Sequence, residues 1–141
     1  NTEIGAILGR NQLKRLDINN KKRRKNFELF LNNLDKKYYR TDFDLEGSCN
    51  YAFNLVLKKA DFNFRDRLEN IMREFGIEFR RGSAGGGNQM RQPYLKGIIK
   101  EKAWEDYPEI EHIHHFGWYI GNYPDLVESR IIELCDLLNC C

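Results

Sequence analysis

The apolar positions of this chain follow two periods, and the switches between them mark its elements. Over residues 2–36 the spacing is helical. Ile4, Ile7 and Leu8 share one face, and Phe27, Phe30, Leu31 and Leu34 repeat at i, i+3, i+4 and i+7. Between the two patches lies the polar run NNKKRRKN, residues 19–26, where the helix is expected to bend or break. Over residues 47–58, GSCNYAFNLVLK, the period falls to two. Tyr51, Phe53, Leu55 and Leu57 point one way and Ala52, Asn54 and Val56 the other, which predicts a strand. A helix follows over residues 63–76, with Asn63 as its cap, Asp66 in the first turn and Gly76 as its stop. Its buried face would be Phe64, Leu68, Ile71, Met72 and Phe75. IEFRR is a short strand with Ile77 and Phe79 on one side, and FGWYIGN, residues 116–122, is another. The last helix starts near Asp125, which would form a capping box with Glu128, and its stripe is Val127, Ile131, Leu134, Cys135 and Leu138.

Strand, helix, strand, loop, strand, helix is the order of an α/β domain of the α+β sandwich kind. It predicts a small, partly antiparallel sheet with helices on one face, preceded by a long N-terminal helix. A length of 141 residues with 41% apolar content suits one compact domain. The chain opens inside an amphipathic helix, as a piece cut from a larger protein would. A net charge of +2 points to neither nucleic acid nor an acidic partner, and no apolar run is long enough to span a bilayer. The four cysteines, Cys49, Cys135, Cys140 and Cys141, fit no zinc or iron–sulfur spacing, so reduced thiols and a cytoplasmic location are the expectation.

Three stretches carry candidate chemistry. The loop GSAGGGNQMRQPYL, residues 82–95, is too glycine-rich for a strand and too decorated for a linker. It lacks the Gly-Lys-Ser/Thr ending of a phosphate-binding loop and the spacing of a dinucleotide fingerprint. Asn88 and Gln92 supply neutral amides and Arg91 a rigid fork of donors, a set that suits a polyhydroxylated anionic ligand; a structural loop is the competing reading. The basic run KKRRK, residues 21–25, has no interleaved aromatics, so a solvated helix face is expected rather than a nucleic-acid contact. His112, His114 and His115 lie close together in EHIHH. His112 and His114 would share a strand face, but neither Glu109 nor Glu111 completes a metal set, and packing or support roles are expected. No nucleophile–base arrangement is apparent.

Several of these segments together resemble the C-terminal part of the DegT/DnrJ/EryC1/StrS sugar aminotransferases. TEIGAILGRNQLKRLD is similar to that family's T-E/D-x-x-A-x-x-G-x-x-Q-L-x-x-L helix through Thr2, Glu3, Ala6, Gly9, Gln12, Leu13 and Leu16. KKRRKNF resembles its following Arg-rich segment, and FRDRLENIMREFGIEFR its R-D-x-L…G-I-E-x-R unit. GGNQMRQPYL and FGWYIGNYPDL resemble the branch that contains the nucleotide-sugar 3-dehydratases. The matching positions are Gly87, Asn88, Arg91, Gln92 and Pro93, then Trp118, Tyr119, Ile120 and Gly121 with Tyr123 and Pro124.

The resemblance implies the C-terminal small domain of a fold-type I pyridoxal-phosphate enzyme. Residues 1–36 would be the helix linking it from an upstream cofactor domain, and residues 37–141 the small domain. It implies a nucleotide-linked keto-deoxysugar as substrate, amination or 3-dehydration as reaction, surface polysaccharide or lipopolysaccharide biosynthesis as setting, and a homodimer. Asn88, Arg91 and Gln92 would bind substrate. The resemblance assigns no catalytic residue, cofactor ligand or metal to this chain, which would be inactive alone. A free-standing binding or regulatory module on the same fold is the alternative.

Overall fold

The computed structural model describes residues 2–84 and 87–141. Gly85 and Gly86, two of the three consecutive glycines, lie outside the described residues. The helices are α1 (Glu3–Leu13), α2 (Leu16–Asn33), α3 (Phe62–Glu74), α4 (Pro108–Phe116) and α5 (Glu128–Asn139). The strands are β1 (Ala52–Val56), β2 (Phe79–Arg81) and β3 (Gly117–Gly121). The sheet order is β1-β3-β2, and both pairings are antiparallel, with Phe53, Ile120 and Phe79 in register.

The core lies between one face of this sheet and three helices. Phe53, Leu55, Trp118 and Ile120 project from the sheet. Phe27, Phe30 and Leu31 of α2, Phe64, Leu68 and Met72 of α3, and Ile131, Cys135 and Leu138 of α5 meet them. The rings of Phe30 and Phe53 stack at 4.6 Å. Each of these large side chains stabilises the fold by about 1.5–3 kcal/mol through burial. The opposite sheet face carries Asn54, Tyr119 and Arg80 in one cross-strand row.

The N-terminal helix breaks earlier than its polar run suggests. The interruption is at Lys14 and Arg15, and α2 then runs unbroken through residues 19–26. The basic run is a largely exposed helix face, as expected, and four of its side chains also make surface contacts. Lys22 pairs with Asp125 at 2.7 Å and Lys25 with Glu128 at 2.6 Å, while Arg23 donates to the Asn122 carbonyl and Arg24 to that of Ser48. Buried Asn26 and Asn122 share an amide hydrogen bond of 3.1 Å at the same seam. These contacts remove the expected capping box: α5 begins at Glu128 without a side-chain cap, because Asp125 and Glu128 both turn toward α2.

Other expectations shift by a residue or two. Asp61, not Asn63, caps α3 by accepting from the Phe64 N–H at 2.9 Å, since the helix starts at Phe62. Gly76 ends that helix with φ at 67°, a conformation that favours glycine. Phe75 is 64% exposed rather than buried. Tyr51 leaves the alternation of β1 because Asn50 before it adopts a left-handed φ of 47°. The Tyr51 ring is exposed and meets Tyr119 edge-on at 6.0 Å. α1 buries none of its residues, so Ile4, Ile7 and Leu8 form an uncovered apolar face. Among the described residues no helix is long and apolar enough to cross a membrane.

Candidate functional site

The loop after β2 and the helix before β3 build one polar cluster, and its centre is Glu111 on α4. The sequence pattern assigns no element to residues 108–115, and the structure makes them helical. Pro108 opens it, Glu109 and Glu111 lie in its first turn, and His114 and His115 in its last, an arrangement that complements the helix dipole. Helical geometry separates the histidines. His112 donates from Nε2 to the Leu57 carbonyl at 2.6 Å, His115 donates from Nε2 to Glu111 Oε1 at 3.0 Å, and His114 Nδ1 accepts from the Asn88 N–H at 3.0 Å. Each ring thus supports a different neighbour, and no group of three or more metal-ligating side chains forms among the described residues.

The loop is folded onto α4 at close range. Gly87 donates to the Gly82 carbonyl at 2.8 Å, and a Cβ on Gly87 would collide with the His114 ring and the Gly82 backbone. Only glycine permits that approach. Asn88 follows and is 1% exposed. Its Nδ2 donates to Glu111 Oε2 at 3.0 Å and to the Trp104 carbonyl at 3.4 Å, while its Oδ1 accepts from the Met90 N–H at 3.0 Å. The amide expected to face substrate therefore has its hydrogen-bonding positions filled inside the domain.

Arg91 is placed differently. Its Nε donates to Glu111 Oε1 at 2.8 Å and to Oε2 at 3.0 Å, and its Nη2 also donates to Oε1. The guanidinium lies over the Trp104 ring, 4.7 Å from its centroid. Two of the three guanidinium nitrogens are occupied by the carboxylate, and Nη1 has no partner among the described residues. Arg91 and Gln92 both line a cavity of about 630 Å³, with Met90, Pro93 and Trp104 on its walls. The size falls within the usual range for small-molecule sites.

The electrostatics follow from the contacts. The Arg91 guanidinium holds the Glu111 carboxyl well below the usual range, at about 2, against the opposing effect of burial; Asn88 and His115 add to the lowering. Burial lowers His114, with His115, Arg91 and Arg81 adding to the lowering and Glu111 opposing it. His114 is consequently a neutral acceptor for the Asn88 N–H.

Of the three residues singled out in the sequence, the structure brings Arg91 and Gln92 to one cavity and turns Asn88 away from it into the Glu111 cluster. Glu111 and Trp104 were missed as organising groups. The spacing of Glu111 and His115, four apart behind a proline and two acids, was the signal that could have marked them.

A pyridoxal-phosphate site would need a buried acid for the ring nitrogen and, where the cofactor is held as a Schiff base, an enclosed lysine. Every lysine here is exposed. The buried carboxylate, Glu69, is already bound to Trp118, Arg81 and Arg73. The described residues do not fit that cofactor.

Comparison with known proteins agrees with the fold. The sequence profile described as the DegT/DnrJ/EryC1/StrS aminotransferase family matches residues 2–139. No curated protein sequence matches. Among solved structures, the chain is similar to GDP-4-keto-6-deoxy-D-mannose-3-dehydratase of E. coli with bound hydrated PLP. The identity is 26% and the TM-score 0.75, over 92% of this chain and 33% of that one. A Streptococcus pneumoniae protein named as a sugar aminotransferase, in its PMP form, shares the fold at a TM-score of 0.82 and 12% identity, over 99% and 34% of the two chains. An aminotransferase from Psychrobacter cryohalolentis does so at 0.74 and 21%, over 96% and 37%. The chain spans about a third of the length of these solved chains.

Proposed function

Because the chain belongs to the DegT/DnrJ/EryC1/StrS aminotransferase family, we propose that it serves as the small C-terminal domain of a pyridoxal-phosphate enzyme acting on nucleotide-linked keto-deoxysugars. The cofactor and the residue that works on it belong, in this reading, to an upstream domain, since the described residues do not fit it. α1, the exposed first helix of the linking segment of residues 1–36, packs its uncovered Ile4, Ile7 and Leu8 against that domain or its dimer mate. Residues 37–141 close over the substrate. The reaction is amination or 3-dehydration, in a cytoplasmic route to surface polysaccharide, and the similarity to the E. coli dehydratase favours the second.

The observation that carries this reading is the geometry of Arg91. A guanidinium clamped by a carboxylate on one edge and a tryptophan on one face is pre-organised, and its remaining amino group opens beside a cavity of ligand size. Gln92, on the same wall, offers both a donor and an acceptor to sugar hydroxyls. Asn88 contributes by holding Glu111 and the loop in place, with a direct substrate contact requiring the loop to open.

The test is an assay of the full-length protein with pyridoxal phosphate and a nucleotide-linked 4-keto-6-deoxyhexose. Substrate should be consumed to an amino or a 3-deoxy product, and Arg91→Lys should lower kcat/KM by about ten- to a hundredfold, the scale of one charge-assisted hydrogen bond. A full-length protein that converts no nucleotide-linked keto sugar would refute the reading.

A further inference from the structure

Two adjacent cysteines, Cys140 and Cys141, line no part of the cavity beside Arg91. Cys140 follows the last turn of α5 and is exposed, while Cys141 is partly buried against the core. Both are free thiols. The platform beneath them is fixed. The Asn139 side chain accepts from the Asp35 N–H and donates to the Asn33 carbonyl, each at 2.8 Å. The Tyr39 hydroxyl donates to the Leu138 carbonyl at 2.5 Å. The Cys140 N–H donates to the Leu137 carbonyl at 3.3 Å, and the Cys141 thiol approaches the same oxygen at 4.0 Å. The pair is thus carried on the anchored end of a helix.

Neighbouring cysteines do not suit one another as a disulfide. Their Cα atoms stand about 3.8 Å apart across a trans peptide, and an unstrained disulfide needs about 4.4–6.8 Å. The dithiol is therefore the relaxed state, with two soft donors side by side in the chain. A structural zinc ion takes a full set of four ligands, and no group of three or more metal-ligating side chains forms among the described residues. What matches two thiols and nothing else is a soft, sulfur-seeking centre that two sulfurs satisfy. Trivalent arsenic carrying one organic group has that valence. Placed between the two sulfurs, it widens the ring that a direct disulfide would strain.

We infer that Cys140 and Cys141 form a dithiol site for a soft, thiophilic centre held through both sulfurs, with trivalent organoarsenicals as its representative class. With phenylarsine oxide the step balances without an oxidant. Exposed Cys140 Sγ forms the first As–S bond and Cys141 Sγ the second. The As=O bond breaks, and its oxygen leaves as water with the two thiol protons. Arsenic stays trivalent. Burial pushes the Cys141 thiol up, opposed by Arg67 and reinforced by Cys140, so Cys141 follows its neighbour as the second sulfur. That second bond forms within one molecule, and joining two bonds in this way raises affinity by about 10²–10⁴ over either alone. Cys135 is buried, and Cys49, though exposed, has no cysteine beside it in the chain.

The experiment treats the full-length protein with phenylarsine oxide in excess glutathione, then with iodoacetamide, and maps alkylation by peptide mass spectrometry. Cys140 should be shielded, its alkylation slowed by about tenfold or more, and dimercaptopropanol should restore it. Cys49 should alkylate as it does without the arsenical. In Cys141→Ser and Cys141→Ala the shielding of Cys140 should be lost, because glutathione displaces an arsenical held by one sulfur. Cys141→Ala keeps an apolar group against the core, and thermal melting of both variants shows that the fold persists. Cys49→Ser should shield Cys140 as the wild type does.

Cys140 alkylating at one rate with and without the arsenical would overturn the inference. So would shielding that persists in both Cys141 variants, which would make it the chemistry of one sulfur. Shielding that disappears in Cys49→Ser would do the same, by assigning the second sulfur elsewhere. None of these readouts depends on conversion of a nucleotide sugar, so this site and the enzyme reading stand or fall separately.

Discussion

Two glutamates organise two regions of this domain, and they do so for different ends. Glu69 on α3 accepts from Trp118 Nε1 at 2.9 Å, from Arg81 Nε at 2.5 Å and from Arg73 Nη2 at 2.7 Å. Burial pushes its carboxyl up, but those three donors outweigh it and hold the group below the usual range. Its partners sit on β3, β2 and its own helix, so the cluster ties regular elements together. Glu111 accepts from Arg91, Asn88 and His115, and two of those donors come from the irregular loop of residues 82–95. Glu69 is nearly closed off, with its side chain 8% exposed, whereas Glu111 is 21% exposed and its partner Arg91 borders a cavity. The same chemistry thus joins strands and a helix at Glu69, and at Glu111 fixes a loop arginine beside a cavity.

Substitutions can break this contrast. The largest effect on folding should come from Glu69→Ala, which leaves Arg81 and the Trp118 N–H without their acceptor. Removing one partner of such a buried cluster costs about 3 kcal/mol or more, read as a fall in the thermal or urea midpoint. Glu111→Ala should cost less, about 2 kcal/mol, because the loop it anchors is near the surface, but it should reduce activity of the full-length protein more than its stability. Acid titration separates the two further. The folded Glu111 carboxyl lies at about 2 and the ordinary value is 4.5, so the native state binds fewer protons than the unfolded one. Its contribution, about 2–3 kcal/mol, is complete above pH 4.5 and is lost as pH falls toward 2. Glu111→Gln should flatten that part of a stability–pH curve. His114 has the same sign: its folded value is depressed, so its share is present above pH 6.5 and lost as pH falls through the folded value. The smallest effect belongs to Arg73→Ala, the exposed arm of the Glu69 cluster, about 0.5 kcal/mol or less.

The two regions were also unequally legible in the sequence. The stripe of Phe64, Leu68 and Met72, the stop at Gly76 and the alternation of Phe53 and Leu55 identify α3 and β1, because burial imposes a period that side chains display. Trp118 and Ile120 show β3 for the same reason. The seam between α2 and α5 was hidden. KKRRK carries a solvated pattern, and nothing local shows that Asp125 and Glu128, about a hundred positions on, return to meet it. α4 was missed because nine residues make only two and a half turns, and His112 and His114 mimic a strand alternation. In the site, Arg91 was legible as a lone fork of donors beside glycines. Its orientation was not, since that depends on Glu111 twenty residues later and on the tertiary approach that Gly87 allows. Asn88 shows the limit of reading residue type alone: an amide suits a ligand and a buried network equally well.

The most direct test of the contrast sets Glu69→Gln beside Arg91→Lys in the full-length protein, with kcat/KM and the thermal midpoint measured for both. Glu69→Gln should lower the midpoint by several degrees, on the scale of about 2–4 °C per kcal/mol, and leave kcat/KM unchanged at temperatures where it is folded. Arg91→Lys should weigh the other way, lowering kcat/KM by about ten- to a hundredfold with a smaller fall in the midpoint, since the positive charge beside Glu111 is kept. If Arg91→Lys is kinetically silent, or if it unfolds the domain as Glu69→Gln does, then the Glu111 cluster is a second structural knot and the cavity beside it is not a ligand site.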